Sequence, residues 1–164
     1  MSAPVACCLL RNKAIGGAVL AAAIAGLYTL EGVELTAYRD IAGVPTICAG
    51  TTKGVKMGQK ATPEQCWSMT VADYQLHEKA VLKGITAPLN ANQQIALTYF
   101  CYNVGVYACM DSTAFRKINA GDYRGGCQAM ALFNKVTVNG KKVVSKGLQN
   151  RRAAEVKQCL QSVQ

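Results

Sequence analysis

The chain has 164 residues, a net charge of +9 and a pI of about 9.3. This length allows one domain, of one or two lobes, with a substantial core. The basic surface favours polyanionic partners, but the chain has no tract rich in lysine and arginine and only 7% aromatic residues, which argues against nucleic acid. An acidic polymer of a cell envelope fits this composition better.

The first predicted element is an uncharged run of seventeen residues, Ala14–Leu30, which leads directly into the carboxylate of Glu31. Nine of the seventeen are Ala or Gly, so the run is only weakly hydrophobic and barely long enough to span a bilayer. Arg11 and Lys13 precede it and would keep the N-terminus on the cytoplasmic side. Everything after Leu30 would then lie outside.

Several interpretations of this segment are open. A cleaved signal peptide fits the basic start and the small residues near Ala23 and Ala25. A permanent anchor requires more hydrophobicity, and a helix that belongs to the soluble core from the start is a further alternative. We favour a reversible anchor: residues 1–30 form an anchor-like segment that joins the domain after release, and residues 31–164 form the folded domain.

The rest of the chain predicts an α+β fold that is mostly helical. Residues 33–54 are rich in Gly, Thr and β-branched residues and predict a small N-terminal β-sheet. Thr62 and Pro63 predict the start of a helix that runs to about Lys83. The Asn139-Gly140 pair predicts a type I′ hairpin over residues 136–144. Further helices are predicted at 91–104, from Ser112 to before Gly121, from Asp122 to about Phe133, and over Gln149–Leu160.

The chain contains eight cysteines: Cys7, Cys8, Cys48, Cys66, Cys101, Cys109, Cys127 and Cys159. No two have the spacing of a zinc-binding pair, and the single histidine, His77, has no ligand partner nearby in sequence, so no metal site is expected. Disulfides in an oxidising compartment are favoured over buried free thiols, although eight cysteines allow 105 pairings. Cys7 and Cys8 precede the apolar run and would meet the oxidising side only after release.

Two carboxyl groups after the apolar run are candidates for acid–base chemistry. Glu31 follows the apolar helix directly, whereas Asp40 lies in a polar turn, and Thr46 on the next strand offers a hydroxyl that could position a water. Two carboxyl groups in contrasting environments on either side of a cleft are what glycoside hydrolysis requires. Spacing alone is weak evidence for this chemistry.

The residues around these carboxyls resemble the motifs of the phage-type lysozymes, glycoside hydrolase family 24. The similarity extends in order over about residues 30–160. It is carried by Glu31-Gly32, Tyr38, Asp40, Gly43, Thr46-Ile47-Cys48, Gly50, Tyr102-Asn103-Val104-Gly105, Ser112-Thr113, Arg116-Lys117-Ile118-Asn119, Gly121, Gly147-Leu148 and Arg151-Arg152.

This resemblance implies a two-lobed lysozyme-like fold and cleavage of the β-1,4 bond between N-acetylmuramic acid and N-acetylglucosamine in peptidoglycan, with inversion and without a cofactor. By the family pattern, Glu31 is the general acid, Asp40 the general base, and Thr46 helps to hold the attacking water. Arg151 would order Glu31, and Tyr38 and Asn103 are expected to line the sugar groove. We expect a monomeric enzyme.

Several relatives in this family are signal-anchor-release endolysins, and Ala14–Leu30 resembles their anchor. The resemblance implies an inactive form in the host inner membrane and an active form in the periplasm, which then causes lysis. Because Glu31 directly follows the anchor, release would carry it into the cleft. A non-catalytic peptidoglycan-binding protein and a lytic transglycosylase that uses Glu31 alone are the alternatives.

Overall fold

The computed structural model describes residues 12–40 and 42–161. The α+β, mostly helical architecture expected from the sequence is confirmed in this part of the chain. Its elements, in order, are α1 Gly17–Glu31, β1 Glu34–Arg39, β2 Pro45–Cys48, α2 Pro63–Gly84, α3 Ala91–Val104, α4 Val106–Met110, α5 Thr113–Asn119, α6 Tyr123–Ala129, a 3-10 turn Met130–Leu132, β3 Lys135–Val138, β4 Lys141–Val144 and α7 Lys146–Cys159. Cys7 and Cys8 lie outside the described residues, so the role suggested for them stays a prediction.

Helix α1 occupies the apolar run and packs on the helical lobe. It ends where Gly32 adopts a φ of +75° and its N–H donates to the Tyr28 carbonyl at 2.9 Å, a conformation that glycine adopts without strain. One narrow face of α1, formed by Ala23, Ile24 and Leu27, is buried against α2 and α3. It packs in one apolar cluster with Tyr74 of α2 and Tyr99 of α3. Among the described residues, no helix of this folded form combines the length and apolar character needed to cross a membrane.

The small sheet follows α1 immediately and carries two of the candidate site residues. Strands β1 and β2 pair antiparallel, with Tyr38 opposite Thr46. The Cys48–Cys66 disulfide ties the end of β2 to α2, and both cysteines belong to a small apolar core under the sheet. The sheet is therefore fixed to the helical lobe by a covalent link two residues beyond Thr46.

The helical lobe is formed by α2 to α7 around one large apolar core. Helix α2 begins at the predicted position because Thr62 and Gln65 form a reciprocal capping box. Asn90 and Gln93 form the same arrangement before α3. The core includes Leu97, Phe100, Phe115, Ile118 and Met130, and the disulfides Cys101–Cys109 and Cys127–Cys159 lie within it.

The predicted hairpin is also confirmed. Asn139 and Gly140 have φ angles of +47° and +76°, as a type I′ turn requires, and β3 pairs antiparallel with β4. The last helix, α7, begins at Lys146, three residues before the predicted start, because the Ser145 hydroxyl accepts from the Leu148 N–H and caps it. Helix α4 was not predicted, since it begins directly after the glycine that ends α3.

Candidate active site

The carboxylate of Glu31 is held by an arginine from the last helix. Glu31 is the final residue of α1, and its Oε1 lies 2.7 Å from Nη1 of Arg151. Both side chains are largely buried, with 20% of Glu31 and 9% of Arg151 exposed. Because a guanidinium binds a carboxylate in a defined direction, this pair fixes where the Glu31 carboxyl points.

Arg151 is itself held by a buried polar network on α7. Its Nε donates to Glu155 Oε1 at 3.0 Å, and Arg152 donates to the same oxygen at 3.1 Å. Burial raises the pKa of Glu155 and lowers the pKa of Arg152, and the attraction between their opposite charges reduces both shifts. Removing one member of this network would therefore leave a buried charge with fewer partners and destabilise the fold.

Asn103, which the sequence places in the sugar groove, joins this network. Its Oδ1 accepts a hydrogen bond of 2.6 Å from Arg152 Nη2, and Arg152 also lies over the ring of Phe100 at 5.2 Å. The residue is otherwise exposed at the C-terminal end of α3. Asn103 thus connects α3 to α7 with its oxygen, and contact with a sugar stays a prediction.

Asp40 closes the turn between β1 and β2. Its Oδ1 accepts hydrogen bonds from the backbone N–H groups of Ala42 and Val44, both at 2.9 Å. Its own N–H donates to the Val44 carbonyl at 3.0 Å. The backbone therefore orients the Asp40 carboxylate through Oδ1.

Thr46 is buried beside Asp40, with 3% of the residue exposed. Its hydroxyl donates to the Val44 carbonyl at 3.0 Å, so the lone pairs on the oxygen can accept a hydrogen bond from a water. Val44 thus connects the two residues: its N–H donates to Asp40, and its carbonyl accepts from both the Asp40 N–H and the Thr46 hydroxyl. Tyr38, opposite Thr46 in the sheet, is 39% exposed and stands at the rim of this turn.

The predicted residues therefore form two groups. Asp40, Thr46 and Tyr38 lie together on the sheet, and Glu31 lies with Arg151 at the junction of α1 and α7. Within residues 12–40 and 42–161, no hydrogen bond or ion pair joins Glu31 to Asp40. Over the same residues no cluster of His, Cys, Asp or Glu has the composition of a metal site.

Tyr102 is a residue near the site that the sequence reasoning did not single out. Its hydroxyl donates to the Ala49 carbonyl at 2.8 Å, which links α3 to the segment after β2. Burial raises its pKa, and the negative charges of Asp73 and Glu31 act in the same direction. The signal was present, because Tyr102 begins one of the motifs that carry the family resemblance.

Comparison with known proteins shows the family and the fold of this chain. The family model described as phage lysozyme matches residues 28–155. A SAR-endolysin of Pseudomonas phage phiKMV is 66% identical over 150 residues, which are 92% of this chain and 93% of that protein. The endolysin from Escherichia coli O157:H7 phage FAHEc1 superposes with a TM-score of 0.84 at 41% identity, covering 93% of this chain and 98% of that one. The active form of P1 phage endolysin Lyz shares the fold, with a TM-score of 0.75 at 22% identity over 93% and 98% of the two chains.

The chain belongs to the phage lysozyme family. It is a muramidase endolysin, a glycoside hydrolase of the lysozyme type, and the substrate of this family is peptidoglycan. The two-lobed lysozyme-like fold expected from the motifs is confirmed by its structural neighbours.

Proposed function

We propose that this endolysin is of the signal-anchor-release type, in which the run Ala14–Leu30 is the membrane anchor before release and, as most of helix α1, a structural part of the active site afterwards. The observation that carries this proposal is the contact between Glu31 and Arg151. The proposed acid is the last residue of α1, and its partner lies 120 residues further along the chain. The ion pair can form only when α1 has left the lipid and packed on the domain.

In the proposed reaction, Glu31 donates a proton to the oxygen of the β-1,4 bond as that bond breaks. Asp40 accepts a proton from a water that attacks the anomeric carbon from the opposite face, so the product has inverted configuration. Thr46 accepts a hydrogen bond from the same water and holds it in line. Arg151 orients Glu31, and Tyr38 and Asn103 contact the sugars.

The anchored state is inactive in this account because residues 14–30 and the folded domain compete for the same helix. While the run is in the inner membrane, Glu31 lies at the membrane surface, away from Arg151 and from the sheet. After release into the periplasm, α1 buries Ala23, Ile24 and Leu27 against the domain. The designation of the phiKMV relative as a SAR-endolysin supports this order of events. We propose that the released enzyme acts as a monomer.

The catalytic assignment is tested with Glu31→Gln, which keeps the shape of the side chain but cannot donate the proton. We expect the rate of solubilisation of purified peptidoglycan to fall by about 10²–10⁴-fold, the usual contribution of a general acid. Glu34→Gln is the matched control, because Glu34 lies three residues further on and is exposed. Full activity in Glu31→Gln would contradict the assignment.

The product distinguishes hydrolysis from transglycosylation. We expect products with a free reducing end, and loss of activity in Asp40→Asn, because hydrolysis needs a base to activate water. Products with a 1,6-anhydro end together with full activity in Asp40→Asn would instead identify a lytic transglycosylase.

A further inference from the structure

A buried carboxylate lies outside the candidate active site and is not used by the proposed reaction. Glu78 is in the middle of α2, and only 1% of the residue is exposed. Its Oε1 accepts two hydrogen bonds, from the backbone N–H of Ile15 at 2.9 Å and from Gln94 Nε2 at 2.8 Å. A carboxylate buried in this way requires such partners, because it has lost its water.

The partners of Glu78 belong to the short segment that precedes α1. Gln94 uses its amide nitrogen to reach Glu78 and also donates to the Lys13 carbonyl at 2.9 Å. Glu78 and Gln94 together therefore bind the backbone on both sides of Ala14, and neither contact depends on a side chain of the segment.

Asn12 extends the same contact to the loop between α2 and α3. Its Nδ2 donates to the carbonyls of Ile85 and Ala87, at 3.3 and 2.9 Å, and its Oδ1 accepts from the Leu89 N–H at 2.9 Å. One side chain thus satisfies three backbone groups of a loop 73 to 77 residues away in sequence. This pattern is specific for an amide side chain, which supplies donors and an acceptor together.

This contact and the proposed catalytic acid lie at opposite ends of α1. Residues 12–15 adjoin the N-terminal end of α1, and Glu31 is at its C-terminal end, about 22 Å further along the helix axis. The apolar face between them is narrow, with three fully buried residues. Contacts at the first end therefore help to set the position along the helix axis at which α1 docks, and with it the place of Glu31.

We propose that Glu78, Gln94 and the loop 85–89 form an intramolecular binding site for residues 12–15, which is occupied by the side chain of Asn12 and the backbone of Lys13 and Ile15, and that Glu78 is thereby a positioning residue for Glu31. The proposal rests on the proposed release of the anchor. In the anchored form, residues 12 and 13 lie on the cytoplasmic side of the membrane, residues 14 and 15 begin the apolar run within it, and Glu78 lies on the periplasmic side. Residues 12–15 can bind this site only after the whole apolar run has left the membrane on the periplasmic side. The last part of the segment to leave the membrane therefore fixes the docked position of α1.

The test uses the purified, soluble full chain and three variants, Asn12→Ala, Glu78→Leu and Glu78→Gln. Hydrogen exchange of the Ile15 amide should accelerate by about tenfold or more in Glu78→Leu, which loses the acceptor at nearly constant volume. The kcat on peptidoglycan should fall while KM stays constant, because fewer molecules hold Glu31 in place. Glu78→Gln keeps an acceptor oxygen and should restore most of both properties. Asn12→Ala should accelerate exchange over residues 12–20 and lower kcat without altering the apolar run.

Two controls separate positioning from general destabilisation. Lys79→Ala, next to Glu78 but exposed, should leave exchange and kcat unchanged. The amides of Phe115 and Ile118, in the other core, should exchange at the parent rate in every variant. Equal acceleration in both cores would overturn the proposal, as would a parent kcat and a parent exchange rate in Glu78→Leu. Because exchange does not depend on activity, these outcomes are distinct from a failure of the catalytic assignment of Glu31.

Discussion

The guanidinium of Arg151 is shared between two carboxylates with different surroundings. Glu155 Oε1 lies 3.0 Å from Arg151 Nε on the buried side. Glu31 Oε1 lies 2.7 Å from Arg151 Nη1 at the end of α1. The buried contact gives Arg151 a fixed orientation, and the second contact transfers that orientation to Glu31. A long side chain that would otherwise occupy many rotamers becomes a rigid support, which is what a positioned acid requires.

Replacing this support should reduce catalysis more than substrate binding. For Arg151→Met we expect kcat on peptidoglycan to fall by about 10–100-fold with little change in KM, because a misplaced acid slows the chemical step. Arg151→Lys keeps the charge but lacks the planar guanidinium, so its kcat should lie between those of the parent and Arg151→Met. Steady-state kinetics on purified peptidoglycan check this. An unchanged kcat in Arg151→Met would show that Glu31 is oriented without the ion pair.

Among the secondary-structure elements, the sheet and the helical lobe are each held by disulfides. The Cys48–Cys66 disulfide closes a short loop and joins β2 to α2 near Thr46, whereas Cys127–Cys159 joins α6 to α7 inside the helical core. Removing either link should destabilise the fold by about 3 kcal/mol, mainly by freeing the unfolded chain. The difference between them should appear in the activity.

We expect the double variant Cys48→Ala with Cys66→Ala to lose stability and also kcat, because the strand that carries Thr46 is no longer fixed to α2. The matched variant Cys127→Ala with Cys159→Ala should lose similar stability and keep its kcat at a temperature where it is folded. Denaturant unfolding and kinetics at 20 °C measure the two properties. Equal kcat in both variants would show that apolar packing alone holds the sheet in place.

The N-cap of α6 predicts a pH dependence of stability. Hydrogen bonds from Lys117 and from the Gly125 N–H lower the pKa of Asp122, the capping residue. A carboxyl whose pKa is lower in the folded state stabilises the fold above its unfolded pKa, near 3.9, and loses this effect as the pH falls through the folded pKa. Asp122→Ala should therefore melt below the parent at pH 6, and the difference should shrink towards pH 2.

Asp122→Asn is the control for this prediction. Asparagine caps helices as well as aspartate does, but it carries no charge, so its melting temperature relative to Asp122→Ala should not vary with pH in this range. Circular dichroism between pH 2 and 7 measures all three proteins. A difference between parent and Asp122→Ala that stays constant down to pH 2 would contradict a charge contribution from Asp122.

Features encoded by neighbouring residues could be predicted from the sequence. The helix start at Thr62-Pro63 and the Asn139-Gly140 turn each depend on a few adjacent residues, and both are confirmed. The last helix was predicted three residues short because Ser145 was not recognised as its cap.

Features that depend on distant residues could not be predicted in the same way. The three disulfide pairings and the contact between Asn103 and Arg152 follow from how the helices pack, which no local pattern encodes. The family resemblance predicted which residues belong to the site, but it did not predict the network of contacts that holds Arg151. A spacing of four between Arg151 and Glu155 on one helix was the available signal.

At the scale of the whole molecule, one segment serves two environments. The run Ala14–Leu30 is apolar enough to be an anchor at the lower limit of length, yet it is rich enough in Ala and Gly to pack closely on a protein surface. Gly26 shows the second property, since a Cβ at this position would clash with the Tyr99 hydroxyl. The small residues that weaken membrane insertion are therefore also those that allow α1 to dock.

The central claim is that the active enzyme retains its former anchor as α1. The most direct measurement is the intact mass of the soluble protein from the periplasm, taken on the same fraction that solubilises peptidoglycan. The account predicts that the active species contains residues 14–30 and that the membrane-bound species has the same mass and no activity. An active soluble species that begins after Ala25 would contradict it, because α1 would then be a cleaved leader and could not position Glu31.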